Sequence, residues 1–246
     1  MKIKWYVGSL ASVLLFSFPG FAQTVSVSVP GTSNPYLAGM PNGSLAPPDQ
    51  APYQSPVEVT GLNFSKGGAA AFTNVTGGVS NMPFCDGTNC SSGDGNILDR
   101  LTGTYKPGVI FFDHDAGAQN GMSDIHAPIN SLVGVFLTDA MPSLSTPPSK
   151  LDFEAFGLNF TTLAPQPQQV FFIGDGMTSN GTVQQFSIPS SATRLFLGTM
   201  DGNEWLNNSG AIMVDVAQVV PEPETYAMFL AGLGLMAAMS RRRKIS

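Results

Sequence analysis

The chain has 246 residues, a length typical of one domain with additional segments at its ends. Only 11% of the residues are charged, whereas glycine, proline and phenylalanine number 27, 19 and 17. Surface helices normally carry many Glu, Lys and Arg side chains, so this composition favours a β-rich fold over a helical one. Residues 23–220 hold five basic and fifteen acidic side chains. This balance argues against nucleic acid as a partner, because no basic patch is present to neutralise phosphates.

The first 22 residues have the pattern of a secretory signal peptide. Lys2 and Lys4 form a charged start, an apolar run covers residues 5–18, and the small residues Gly20 and Ala22 offer a cleavage site. Gln23 is then the first residue of the mature protein. The alternative is an uncleaved membrane anchor, which the short apolar run disfavours.

Short strand-like runs follow one another along the middle of the chain. Residues 23–55 are rich in proline and glycine and are predicted to form a linker with a possible first strand at 24–29. From residue 56 to 218, turn-forming residues separate the runs, and no βαβ rhythm appears. This pattern predicts an antiparallel β-sandwich, with strands at 57–62, 69–75, 108–112, 131–137, 169–173, 182–188, 194–197 and 211–216.

Two cysteines, Cys85 and Cys90, enclose a sequence that contains Asp-Gly. In an exported protein such a pair forms a disulfide by default, and Asp-Gly permits the tight turn that brings the sulfur atoms together. A zinc site is the alternative, although the chain offers no second cysteine pair.

An oxygen-rich loop is predicted between the last two strands. It contains Asp201, Asn203, Glu204, Asn207 and Asn208. Calcium takes six to eight oxygen ligands from carboxylates, amides and carbonyls, so a loop of this kind can supply most of a calcium site. The same residues are also common turn formers, and the sequence leaves this second interpretation open.

The spacing from Asp201 to Asn207-Asn208-Ser209-Gly210 and an outgoing strand resembles the calcium loop of small bacterial galactose-binding lectins. The resemblance implies a jelly-roll-like sandwich in which Asp201, Asn207, Asn208 and Glu204 hold calcium. It further implies sugar contacts, for which Trp205, Gln119 and His126 are the candidates. The loop departs from the family's pattern, since it is one residue shorter and lacks the family's threonine ligand.

The C-terminal segment combines three features in order. Pro221-Glu222-Pro223 is followed by an uncharged stretch at 226–240 and then by Arg241, Arg242, Arg243 and Lys244. This arrangement resembles the PEP-CTERM sorting signal over about the last 26 residues. The resemblance implies recognition and processing by an exosortase-type enzyme, a precursor held in the inner membrane of a Gram-negative bacterium by a hydrophobic helix, and delivery to the cell surface or matrix. The alternative is a permanent tail anchor.

Three functions remain open at this point. The sequence favours a calcium-dependent carbohydrate-binding module, with exopolysaccharide as a candidate ligand. A structural matrix protein without a ligand site is the second interpretation. A polysaccharide hydrolase is the third, but we expect no enzyme, because the acidic pairs that glycoside hydrolysis needs arise easily by chance among fifteen acidic residues.

Overall fold

The computed structural model describes residues 23–86, 90–95, 110–220, 229–234 and 236, together with the backbone of 98–99 and 104–105. The predicted signal helix at 1–22 lies outside the described residues. So do the sorting-motif residues Pro221, Glu222, Pro223, Arg241, Arg242 and Arg243.

The described chain is mostly β-sheet, as the sequence predicts. The strands are β1 (Gln23–Pro30), β2 (Leu45–Ala46), β3 (Asp49–Gln50), β4 (Val57–Glu58), β5 (Ala69–Ser80), β6 (Leu98–Asp99), β7 (Thr104–Tyr105), β8 (Phe111–Phe112), β9 (Ile125–Pro128), β10 (Leu132–Leu137), β11 (Leu151–Asp152), β12 (Thr162–Leu163), β13 (Val170–Phe172), β14 (Gln185–Ser187), β15 (Arg194–Thr199) and β16 (Ser209–Val219). The helices are α1 (Phe153–Phe156) and 3-10 turns at Pro35–Leu37, Phe64–Lys66, Pro142–Leu144 and Trp205–Asn207.

Two larger sheets make up the body of the domain. The first has the strand order β1-β16-β5-β14-β12, and the second has the order β13-β10-β15-β4. A smaller sheet, β11-β9-β8, and the pairs β2-β3 and β6-β7 complete the set. Most pairings are antiparallel, as predicted, but β11–β9 and β12–β14 are parallel. The jelly-roll arrangement stays a prediction.

The hydrophobic core joins the two larger sheets. The ring of Phe171 on β13 lies 5.4 Å from the ring of Phe186 on β14, and Phe186 also contacts Phe72 on β5. All six residues of β10 are buried, which explains why its sequence is a continuous apolar run rather than an alternation. Gly134 in β10 is required by packing, since a Cβ atom there would lie 2.8 Å from the Phe171 ring.

Residues 23–55, predicted as a linker with a possible first strand at 24–29, contain strand β1 at Gln23–Pro30, and several of the later residues are buried in the folded domain. Strand β1 pairs with β16 over its whole length, from Gln23 opposite Gln218 to Pro30 opposite Ala211. Tyr36 and Leu37 are buried in the core. The prolines that suggested a linker lie in the turns that connect these paired and buried parts of the segment.

The predicted disulfide is confirmed, because Cys85 and Cys90 are bonded to each other. The zinc interpretation of this pair is therefore wrong, since the disulfide occupies both thiols. Gly210, at the start of β16, packs against the Cys85 side chain, so the disulfide adjoins the exit of the candidate calcium loop.

The prediction of a hydrophobic helix over 226–240 is not supported. Residues 229–234 and 236 are helical. Among the described residues, no helix has the length and apolar character that crossing a membrane requires.

The core contacts lead to a first prediction. Phe171→Ala should lower the free energy of unfolding by about 3–5 kcal/mol, because it removes a buried ring that bridges the sheets. The matched control is Phe156→Ala, where the ring is 58% exposed and a loss of under about 1 kcal/mol is expected. Urea unfolding of both variants measures the difference. Equal losses would contradict a core shared by the two sheets.

Candidate calcium loop and its surroundings

The candidate calcium loop, residues 200–208, connects β15 to β16. Its middle is the 3-10 turn at Trp205–Asn207. Glu204, which precedes this turn, has a left-handed backbone conformation with φ of 59°. The loop thus folds back on itself between the second sheet and the first, and its position follows directly from the two strands that flank it.

The carboxylate of Asp49 fixes the turn. It accepts hydrogen bonds from the backbone N–H groups of Trp205 at 2.9 Å and Leu206 at 3.0 Å, and from the Asn34 side chain at 3.0 Å. Asp49 is 1% exposed. Burial raises the pKa of the Asp49 carboxyl, while the hydrogen bonds from Asn34, Leu206 and Trp205 oppose this shift. A single buried acid therefore ties the loop to the segment that precedes the core strands.

Trp205, one of the three candidate sugar contacts, is buried and has no exposed ring face on which a sugar could stack. The residue is 1% exposed, and its Nε1–H donates to the Thr199 carbonyl at 2.8 Å. The ring lies edge-on to Tyr36, with centroids 5.8 Å apart. Burial of its large apolar ring stabilises the fold, and its single polar atom, Nε1, keeps a hydrogen-bond partner in the core.

Among the predicted calcium ligands, Asp201 and Asn208 are buried and Asn207 is half-buried. Asp201 Oδ1 accepts the N–H of Gly202 at 2.7 Å. The side-chain amide of Asn208 donates to the Gly31 carbonyl at 3.1 Å, and that of Asn207 donates to Glu204 at 3.3 Å. Among the described residues, the buried oxygens Asn207 Oδ1 and Asn208 Oδ1 have no hydrogen-bond partner.

Glu204 is exposed, in contrast to the other three candidate ligands. No cluster of three or more His, Cys, Asp or Glu side chains suited to a metal occurs in the described part of the chain. A cation held in the loop would therefore take at most two acidic side chains, Asp201 and Glu204, and would need amide and backbone oxygens for its remaining ligands, which is compatible with calcium rather than zinc.

His126 lies in a separate charged network. Its Nε2 is 3.1 Å from the Glu154 carboxylate, and its Nδ1 is 3.2 Å from that of Asp113. Lys150 Nζ contacts the same Asp113 oxygen at 2.6 Å. The hydrogen bond from Lys150 lowers the pKa of Asp113. His126 thus joins β9 to α1, and its ring stacks on Phe111.

Gln119 belongs to a third environment. It forms an isolated bridge with Met122, and its buried Oε1 has no hydrogen-bond partner among the described residues. Trp205, Gln119 and His126 have different neighbours, so the structure gives no shared sugar site built from these three residues.

His114 lies next to the loop, and the sequence-based prediction of the site did not include it. Its buried ring stacks on Tyr36 with centroids 3.9 Å apart, and its Nδ1 lies 2.6 Å from the Gly117 carbonyl. Burial lowers the pKa of His114, against the opposing effects of Gly117 and Asp124. The next residue, Asp115, donates its backbone N–H to Gly202 at 2.9 Å. Sequence alone does not show that this histidine is buried.

The C-terminal segment matches a known family over residues 219–244, described as the PEP-CTERM protein-sorting motif. The chain carries a PEP-CTERM sorting motif. This confirms the resemblance seen in the sequence. The PEP-CTERM motif implies processing by an exosortase, and it indicates an exported, membrane-anchored precursor that is sorted to the cell surface. No curated protein and no solved structure matches the chain.

The role of Asp49 can be tested by two substitutions. Asp49→Ala should lower the free energy of unfolding by about 3 kcal/mol, because it leaves the buried N–H of Trp205 and the partly buried N–H of Leu206 without an acceptor. Asp49→Asn keeps one acceptor oxygen in place and should cost about 1 kcal/mol. Urea unfolding checks both values, and an Asn variant as unstable as the Ala variant would contradict this account.

The buried His114 predicts a pH dependence of stability. Its pKa is lowered from 6.5 in the folded state, so the unfolded chain binds the proton more tightly. Stability is therefore full above the unfolded-state pKa and falls as pH drops from about 6.5 towards the lower folded-state pKa. His114→Gln should remove this decline, as measured by denaturant unfolding between about pH 5 and 7.

The matched control is His126→Gln, which changes the second of the two histidines and leaves His114 in place. This variant should keep the decline. If the decline persists in His114→Gln and disappears in His126→Gln, the effect belongs to His126 and the prediction for His114 is contradicted.

Proposed function

We propose that this PEP-CTERM protein is an exported cell-surface module whose β-sheet domain binds a carbohydrate and is stabilised by calcium in the 200–208 loop. The sorting motif supports the location, since it indicates a membrane-anchored precursor processed by an exosortase. The acidic middle of the chain is compatible with a divalent cation and a neutral polymer as ligands. We propose binding rather than catalysis.

The observation that carries the calcium proposal is the pair of buried amide oxygens, Asn207 Oδ1 and Asn208 Oδ1. A buried acceptor without a partner costs about 1–3 kcal/mol, and adjacent residues rarely both bear that cost in a stable loop. A cation removes the cost by accepting both lone pairs. Asp201 and Glu204 in the same loop provide the carboxylates that calcium prefers.

The burial of these oxygens also bears on the role of the ion. In the lectins that the loop resembles, the calcium is shared with two sugar hydroxyls and must face solvent. Here both amide oxygens and Asp201 are buried, so we propose an ion that stabilises the fold and does not bridge to sugar. The contacts to carbohydrate must then lie elsewhere on the domain.

A structural matrix protein is the second candidate. Strand β1 is an eight-residue edge strand without a charged side chain, and native edges of this kind are usually blunted by charge. Pairing between copies through this edge would suit a matrix role that needs no ligand.

The calcium proposal is tested by thermal unfolding of the purified full chain with calcium and with chelator. A ligand that binds only the folded state raises the melting temperature by mass action. We expect a clear rise with millimolar calcium in the native chain. The variant Asn207→Ala, which removes one of the two buried acceptors, should lose this rise.

Leu206→Ala is the matched control, since Leu206 is exposed in the same turn and contributes only its backbone N–H to Asp49. This variant should keep the calcium response. No response in the native chain would reject the metal site in the loop.

A further inference from the structure

A cleft of about 620 Å³ lies apart from the residues that sequence analysis singled out. Three segments line it: residues 92–95, residues 158–159, and a third that runs from Phe172 through 175–179. Its volume falls within the range of about 300–1,000 Å³ that is typical of small-molecule sites.

The walls of the cleft are tied to each other by hydrogen bonds between distant parts of the chain. The Asn159 side chain donates to Ser179 Oγ at 2.9 Å and accepts the Ser179 N–H at 2.7 Å. On the other side, Asp94 Oδ1 accepts the N–H of Asp175 at 2.8 Å. A ligand would therefore meet a preformed surface and would lose little affinity to ordering of the protein.

Two carboxylate oxygens remain available in the cleft. Asp94 and Asp175 each use Oδ1 to accept a backbone N–H, from Asp175 and Met177 respectively. In the described part of the chain, the Oδ2 atoms of both residues have no hydrogen-bond partner. Asp94 is exposed at the rim, yet desolvation by the cleft raises the pKa of its carboxyl, and the charge of Asp175 adds to this effect. The cleft thus presents two strong acceptors close together.

The remaining lining limits the chemistry of the ligand. None of the ten lining residues is basic, so two carboxylates would repel an anion. Leu158 and Met177 supply an apolar surface beside the acceptors, whereas Phe172 is 2% exposed and belongs to the core. A pyranose sugar combines two matching features: its hydroxyl groups donate hydrogen bonds, and one face of its ring presents apolar C–H groups.

We propose that this cleft binds a neutral oligosaccharide, with Asp94 and Asp175 accepting hydrogen bonds from sugar hydroxyls and Leu158 and Met177 contacting the ring. The assignment rests on the proposed function in one respect, namely that the domain binds carbohydrate. It goes further by placing the site, and it replaces Trp205, Gln119 and His126 as the sugar contacts.

The test is calorimetric titration of the purified full chain with neutral trisaccharides of glucose, galactose and mannose. The double variant D94N/D175N keeps each Oδ1 acceptor and replaces each free carboxylate oxygen by an amide, so the cleft keeps its shape. We expect at least one trisaccharide to bind the native chain, and its dissociation constant to rise about tenfold or more in the double variant. Binding to the native chain should change little with added salt, because the ligand is uncharged.

The matched control is Asp139→Asn, which removes an exposed charge outside the cleft and retains the acceptor for the Thr193 hydroxyl. It should bind like the native chain. Unchanged affinity in D94N/D175N would overturn the cleft assignment and leave the proposed function standing. Salt-sensitive binding of spermidine in place of the trisaccharides would overturn it in favour of a cationic ligand. Failure of every trisaccharide to bind the native chain would reject the carbohydrate function together with the cleft, whereas the calcium response is judged separately by unfolding.

Discussion

The hydrophobic core shared by the two larger sheets is the constraint on which the rest of the structure depends. Phe171 and Phe186 meet across the two layers, and β10 is buried along its whole length. Because few residues are charged, ion pairs can contribute little to the stability of this domain. Burial of phenylalanine and aliphatic side chains must therefore supply most of it. The strands that flank the candidate loop, β15 and β16, belong to different sheets, and the loop exists because the chain must cross between them.

The second requirement is that polar groups buried by this packing find partners. Asp49 meets it for the turn at Trp205–Asn207, where a carboxylate from a distant segment accepts two backbone N–H groups. The buried Oδ1 atoms of Asn207 and Asn208 have no hydrogen-bond partner among the described residues, and for this reason we propose them as cation ligands. The calcium proposal rests on this difference within one short loop: the backbone N–H groups of the turn have a protein acceptor, whereas the two amide oxygens have no protein donor.

Sorting and the proposed ligand binding depend on different parts of the chain. The sorting motif at 219–244 follows β16 directly, so the sequence that directs the protein to the surface is joined to the last strand of the first sheet. The proposed saccharide cleft is built from other parts of the chain, which pack on the sheets without belonging to their central strands. Changes in the cleft can therefore alter ligand preference with little effect on the core or on sorting.

Sequence by itself determined the features that depend on local composition and short spacing. These are the PEP-CTERM motif, the β-rich class, the disulfide between Cys85 and Cys90, and the position of most long strands, because each follows from residues close together in the chain. Only the tertiary structure decided that residues 23–55 are folded, that Trp205 and His114 are buried, and that Asp94 faces Asp175 across 81 positions. Burial and long-range hydrogen bonding depend on which distant segments pack together, and no local pattern of residue types specifies that choice.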